Sequence, residues 1–304
     1  MGRTAGVLAG TVALLLVAGA AAAFSDTKVL EDPAVRVRYA DGRQAAAEQI
    51  AAASPALFRE LESETGLRFD LRPTVIAASG REAFRRLGGR EAFVAFALPE
   101  RGAVVLDLSR FDRRPESFQP VLKHEYAHLL LHRHIASDRL PRWLDEGIAQ
   151  HLSDGLSEYL PRRSQLILGE ALAADRAFPL RALEAGFPAD GNGLQLAYEQ
   201  SRSVVGYFVQ RYGEETLRAL MARMAAGQGA GEALRDVAGI SLATLEADWR
   251  RQATTPWSWL GRMAGHSYGI LFFLAAVATL VGYIRHRRRR RAYQDEEDEA
   301  DDAG

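Results

Sequence analysis

The spacing of apolar and polar residues changes along this 304-residue chain. Residues 35–39 alternate apolar and charged side chains, a period of two that predicts a half-buried strand. Residues 44–65 carry apolar side chains at helical spacing and are followed by Gly66, which predicts a helix with a glycine stop. The apolar run at 73–77 predicts a second strand, and residues 81–87 predict a short helix.

The middle of the chain predicts a hairpin followed by helices. Residues 93–98 and 102–108 are apolar stretches on either side of Pro99-Glu100-Arg101, as in two strands joined by a short turn. Glycine-rich breaks then separate segments with apolar residues at helical spacing, at 164–174, 195–212, 214–225 and 241–252. The pattern therefore predicts an α+β fold, with a lobe containing a small sheet followed by a helical lobe.

Both ends of the chain carry long apolar stretches. Residues 1–24 combine Arg3, an apolar core and alanines at 21–23, which predicts a signal peptide; an uncleaved membrane anchor is the alternative. Residues 263–284 contain no charged side chain, and at 1.5 Å per residue a helix of this length reaches about 33 Å. That length crosses a bilayer, so we predict one C-terminal transmembrane helix.

The charges beside this stretch predict its orientation. The arginine-rich residues 285–291 follow it at once, which favours a cytoplasmic position for the tail. Acidic residues at 295–302 roughly cancel these arginines, so we do not predict nucleic-acid binding. We predict a single-pass cell-membrane protein whose domain lies in the periplasm or on the cell surface, divided into a signal peptide (1–24), the domain (25–256), a membrane-proximal segment with the transmembrane helix (257–284) and a cytoplasmic tail (285–304).

Composition limits the chemistry that the domain can use. The chain has no cysteine, which excludes a disulfide framework and a thiolate metal site. Its formal net charge is −1, so no strong overall field indicates a highly charged substrate. A metal site would therefore have to be built from histidine and carboxylate side chains.

Such residues occur in His124-Glu125-Tyr126-Ala127-His128. Residues four apart lie on one face of a helix, so His124 and His128 can bind one zinc ion (Zn2+), while Glu125 can face a metal-bound water. Catalytic zinc needs a third protein ligand, and Glu146 offers a carboxylate after a gap of 17 residues. We expect a second helix there, which begins near Leu140-Pro141.

Other residues near this motif have two interpretations each. His134 is a rival third ligand, although a helix continuing through residues 129–131 turns it away from His128. His132 lies on the face of His128 and either orients a neighbour or is a polar residue at a helix end. Asp145 either holds a ligand histidine from behind or is a solvated carboxylate in a first helical turn.

The two motifs resemble those of the gluzincin metallopeptidases, and most closely their peptidase-MA-like group, at His124, Glu125, His128, Trp143, Leu144, Glu146 and Gly147. The resemblance implies a zincin-like lobe with an active-site helix, zinc held by the two histidines and Glu146, and Glu125 as general base. It also implies that Tyr198 stabilises an oxyanion, although Gln200-Ser201 replaces the Lys-Gly of related enzymes and a packing role is the alternative. It further suggests strand 104–108 as a substrate-facing edge, with a plain structural strand as the alternative.

The sequence therefore predicts a membrane-anchored zinc metallopeptidase that hydrolyses a peptide or protein substrate. The partners expected are that substrate and the lipid bilayer, and the sequence gives no oligomeric state. The alternative function is a catalytically silent zincin-like domain that binds or regulates a partner in the cell envelope. The presence of Glu125 favours activity, because a silent domain has no chemical need of it.

Overall fold

The computed structural model describes residues 27–112, 118–153, 164–254, 275–283 and 285. The predicted signal peptide, most of the predicted transmembrane helix and all but Arg285 of the predicted tail lie outside these residues. Residues 275–283 are helical and exposed. Within the described parts of the chain, no helix combines the length and apolar character that crossing a membrane requires. The chain divides into two units after Arg250, and the sheet and the helices that carry the histidine motif and Glu146 belong to the first.

A five-stranded mixed sheet forms the first part of this unit. Its strands are β1 (Thr27–Glu31), β2 (Arg36–Ala40), β3 (Thr74–Ala78), β4 (Ala95–Leu98) and β5 (Ala103–Asp107). They lie in the order β1-β2-β3-β5-β4, with β2, β3 and β5 parallel and the two outer strands antiparallel to their neighbours. The predicted hairpin is confirmed, because β4 and β5 pair antiparallel.

The prediction that strand 104–108 is a sheet edge is wrong. β5 lies between β3 and β4, and all five of its residues are buried. A continuous apolar run such as Ala-Val-Val-Leu is typical of a strand covered on both faces, and an edge strand would not need it. The edge on this side of the sheet is β4. The edge strand β1 was not predicted, because its exposed residues carry little hydrophobic pattern.

Nine helices surround and extend the sheet in the described residues up to 254. They are α1 (Gln44–Thr65), α2 (Arg81–Arg86), α3 (Phe118–His134), α4 (Arg142–Leu152), α5 (Ser164–Ala173), α6 (Gly191–Tyr212), α7 (Glu214–Ala225), α8 (Ala230–Ala238) and α9 (Leu242–Ala253). The predicted glycine stop of α1 is confirmed: Gly66 has a φ of 73° and its N–H donates to the Glu62 carbonyl. The α+β class with its small sheet and following helices is confirmed.

Helix α3 is fixed on all sides by its neighbours. Every residue from Val121 to Leu131 is buried. Tyr126 packs its ring against Phe58, with centroids 4.8 Å apart, and its hydroxyl is hydrogen-bonded to the Ser54 hydroxyl at 2.8 Å. Lys123 forms ion pairs with two glutamates of α1. The histidine motif therefore lies on a rigid helix.

Candidate metal centre

The two motif histidines converge, as their spacing on α3 predicts. Nε2 of His124 and Nε2 of His128 lie 3.2 Å apart, and both side chains are almost wholly buried. The ring planes are nearly perpendicular, at 86°. Two imidazole nitrogens this close can both reach one metal ion once each is deprotonated.

Glu146 brings a third ligand atom from α4. Its Oε2 lies 3.6 Å from Nε2 of His124 and 3.6 Å from Nε2 of His128. Ligands at about 2.0 to 2.2 Å from a tetrahedral zinc ion are about 3.3 to 3.6 Å from each other, so the triangle has the right size. Oε2 is also buried without a hydrogen-bond partner, which a cation would supply. Within the described residues, these three form the one group identified as able to hold a metal ion.

Asp145 holds His128 from behind. Its Oδ1 accepts a hydrogen bond from Nδ1 of His128 at 2.7 Å, and its Oδ2 is 3.1 Å from Nε2 of His132. An ionised carboxylate can only accept, so Nδ1 carries the hydrogen and Nε2 is left as the ligand atom. Asp145 is buried, which supports the orienting interpretation over the solvated one. His132 takes the orienting role as well, between Asp145 and the Ser137 hydroxyl at 3.2 Å.

The charges in this cluster stabilise one another when no cation is present. Burial lowers the pKa of His128, but the carboxylates of Asp145 and Glu146 outweigh it, and the net shift is well above the ordinary value. Burial raises the pKa of Glu146, but Arg142, His128 and His124 outweigh it and lower that pKa well below its usual range. The pKa of Asp145 is likewise lowered, because His128 and His132 outweigh its burial. These shifts favour the protonated form of His128 beside the two carboxylates when no cation is bound.

The other predicted site residues occupy different surroundings. Glu125 is fully buried on α3 beside His124. The Tyr198 hydroxyl, from α6, donates to Oε1 of Glu146 at 3.2 Å, so this residue reaches the metal ligand itself. His134 points away, since its Nε2 is 2.8 Å from the Arg68 carbonyl. The rival ligand set is therefore wrong.

Arg142 is a site residue that the motifs did not reveal. Its Nη2 forms an ion pair with Oε1 of Glu146, and its Nη1 is 3.4 Å from Oδ2 of Asp145. It lies four residues before Glu146 on the same helix, a spacing at which opposite charges meet. This spacing was the sequence feature from which the contact between Arg142 and Glu146 could have been predicted.

A glycine explains how α4 comes so close to α6. A Cβ at Gly147 would lie 2.5 Å from Cγ2 of Val205 and 2.6 Å from the Ser201 carbonyl oxygen. Any other residue would push the two helices apart. Because Gly147 follows Glu146 directly, this close approach sets the position of the ligand.

A cavity of about 340 Å3 adjoins the cluster. Arg142 and Tyr198, which both contact Oε1 of Glu146, form one of its walls. The cavity lies between the turn before β4 and strand β4 on one side and helices α4 and α6 on the other. Substrate-sized pockets of about 300 to 1,000 Å3 next to reactive groups are the usual sites of binding.

Comparison with known families agrees with this centre. Residues 118–255 match the model of the Peptidase MA superfamily. This match spans α3 and α4, where His124, His128 and Glu146 meet, so this part of the chain is similar to the peptidase-MA group. The resemblance that the two motifs predicted is confirmed at the level of the family.

Solved structures also resemble the chain. Native yeast LTA4 hydrolase matches with 13% identity and a TM-score of 0.47, covering 76% of this chain and 38% of the other. Yeast LTA4 hydrolase in complex with bestatin matches with 11% identity and a TM-score of 0.44 over the same shares. The chain thus spans less than two fifths of the length of these proteins. No curated protein sequence gives a significant match.

Proposed function

We propose that this chain is a zinc-dependent metallopeptidase, with His124, His128 and Glu146 as the zinc ligands and Glu125 as the general base. The convergence of three buried ligand atoms within 4.8 Å of one another carries the proposal. Two imidazoles and one carboxylate form a donor set typical of catalytic zinc, which keeps one position open for water or substrate. The match of residues 118–255 to the Peptidase MA superfamily model supports a hydrolase of this class.

Zinc held there would supply a Lewis acid and lower the pKa of a water molecule to about 7. Glu125 would act as general base and then general acid: its carboxylate would take a proton from the water that attacks the scissile carbonyl carbon and deliver it to the leaving amine nitrogen as the C–N bond breaks. The Tyr198 hydroxyl would exchange its hydrogen bond to Oε1 of Glu146 for one to the carbonyl oxygen as negative charge develops on that oxygen. Asp145 keeps His128 in the tautomer that leaves Nε2 free.

The test compares metal content with turnover in four proteins. The purified wild type should contain about one zinc per chain and cleave members of a peptide library, with activity lost to a chelator and restored by zinc. Glu125→Gln should keep the zinc and lose at least about a thousandfold in kcat, since it removes the base but no ligand. Glu146→Gln should lose the zinc. Glu170→Gln, an exposed position on α5, is the matched control and should behave as the wild type.

Two results would contradict this assignment. Cleavage by Glu125→Gln at the wild-type rate would show that another group takes the proton. A wild type that binds zinc but cleaves no peptide in the library would favour the alternative function, a silent binding or regulatory domain of the cell envelope.

We also propose that the chain is anchored in the cell membrane by a C-terminal helix, with its catalytic domain outside the cytoplasm. The uncharged run at 263–284 and the arginines after it support this proposal, as do the exposed apolar side chains Val277, Leu280 and Val281. The full chain should stay with membranes after alkaline extraction, and a chain ending at residue 256 should be released. Release of both would contradict the anchor.

A further inference from the structure

The cavity beside Glu146 indicates which substrates the site prefers. Arg142 and Tyr198 line it and also contact the ligand carboxylate, so a peptide bond at the ligand cluster has a neighbouring residue at the mouth of this cavity. The inference below rests on the proposed function. It adds to that function the class of peptide that the site selects.

The floor of the cavity is apolar and mostly aromatic. Phe93, Phe96, Phe187 and Leu194 line it together with the ring of Tyr198. The Phe187 and Tyr198 rings meet edge to face at 5.2 Å, and the Phe93 and Tyr198 rings lie 6.2 Å apart. At about 340 Å3, the cavity is at the lower end of the usual range for binding pockets. It therefore suits one large side chain with a flanking group, and aromatic rings pack well in it.

The two charged side chains that line the cavity are both positive. Arg90 and Arg142 line it, and no carboxylate does. The positive charge of Arg142 is neutralised by its ion pairs with Glu146 and Asp145. Arg90 differs: its guanidinium lies 5.7 Å from the centre of the Phe93 ring, and it forms no ion pair with a residue that the structure describes. Arg90 is thus the charge available to a ligand.

The turn that carries Arg90 is held in place from below. The Arg81 guanidinium donates to the carbonyl oxygens of Arg90, at 2.8 Å, of Glu91, and of Phe93, at 2.6 Å. Arg81 is in turn paired with the fully buried carboxylate of Asp107, 3.3 Å away, at the end of β5. The backbone of this turn is therefore fixed before a ligand arrives, which lowers the entropy cost of binding.

We propose that this cavity selects peptides with a large apolar residue, preferably aromatic, next to the scissile bond and a carboxylate beside that residue. Arg90 is the residue that determines the preference for the carboxylate. An acidic side chain and the carboxyl terminus of a short peptide offer the same group, so both are sources to be distinguished.

The test uses pairs of peptides taken from the sequences that the wild type cleaves. One pair differs by glutamate against glutamine beside the large apolar residue, and one pair differs by a free carboxyl terminus against an amide. A third series places phenylalanine, alanine or lysine at the position that fills the cavity. The ratio of kcat/KM within each pair is measured for the wild type, Arg90→Gln, Arg90→Glu and the control Arg86→Ala, an exposed arginine on α2.

We expect the wild type to prefer phenylalanine over alanine and lysine, and to prefer the carboxylate of at least one pair by about fivefold, the effect of one exposed ion pair. The responsive pair identifies the source of the carboxylate. Arg90→Gln should abolish that preference and Arg90→Glu reverse it, while the ratios of Arg86→Ala stay as in the wild type.

Equal cleavage of the phenylalanine and alanine peptides, or a carboxylate preference that survives in Arg90→Gln, would overturn the inference while leaving the peptidase proposal standing. Failure of the wild type to cleave any peptide would instead refute the proposed function.

Discussion

Replacing Gly147 by alanine tests whether close packing of α4 on α6 positions the zinc ligand. The new Cβ would lie 2.5 Å from Cγ2 of Val205, whereas carbon atoms pack best at about 3.5 to 4.0 Å. It would also lie 2.6 Å from the Ser201 carbonyl oxygen, which is backbone and cannot rotate away. The helices therefore have to separate by about 1 Å, at a cost of about 1 to 3 kcal/mol in the free energy of unfolding.

The matched control is Gly206→Ala on α6, where a Cβ meets no atom within 4 Å. Both substitutions gain the same helix propensity, about 1 kcal/mol, but only Gly147→Ala pays for the clash. Urea unfolding of the metal-free proteins should show Gly206→Ala more stable than Gly147→Ala by about 1 to 3 kcal/mol. Zinc affinity, measured by competition with a chelator, should fall by about tenfold or more in Gly147→Ala alone, since Glu146 moves with α4. Equal stability and equal zinc affinity of the two variants would refute the packing argument.

Three further predictions concern the same centre. Asp145→Asn should weaken zinc binding by about 10- to 100-fold in a chelator competition, because it weakens the contact that orients His128; unchanged affinity would contradict that role. The raised pKa of His128 stabilises the metal-free fold below about pH 6.5, and this contribution is lost as the pH rises through that pKa. Zinc needs the neutral ring, so thermal melts should show a larger zinc-induced rise in Tm at pH 8 than at pH 6, and the opposite order would refute the sign. Tyr198→Phe should lose about 100-fold in kcat and keep its zinc. If this variant instead lost its zinc and showed normal kcat once zinc was added back, Tyr198 would act only by holding Glu146 through their hydrogen bond.

The helices and the metal-ligand set could be predicted from the local spacing of residues along the chain. Helical spacing alone places His124 and His128 on one face, and the gap to Glu146 is long enough for a second helix to return. The order of the strands could not be read in the same way. A hairpin pattern predicts that β4 and β5 pair with each other. It does not predict which of the two strands also pairs with β3, because the inner strand is the one that is buried on both faces. The unbroken apolar run of β5 was the only sequence feature that indicated β5 as that inner strand.

The cavity was beyond the reach of sequence patterns for another reason. Phe93 and Phe96 lie about a hundred residues before Phe187 and Tyr198, and no periodicity links positions so far apart. The sequence showed each ring as an ordinary apolar residue of its own element. Only the packing of the sheet lobe against α6 brings the rings together, with Arg90 and Arg142 beside them.

His128 meets two consecutive residues of α4, Asp145 at one ring nitrogen and Glu146 near the other. A slip of α4 by a single residue would rotate both carboxylates by about 100° and remove them together. The connection at 135–141 can therefore change in length during evolution only if α4 keeps its rotational phase. Anyone who transplants this centre into another scaffold has to reproduce the phase of two helices, since copying the motif letters alone would give neither contact.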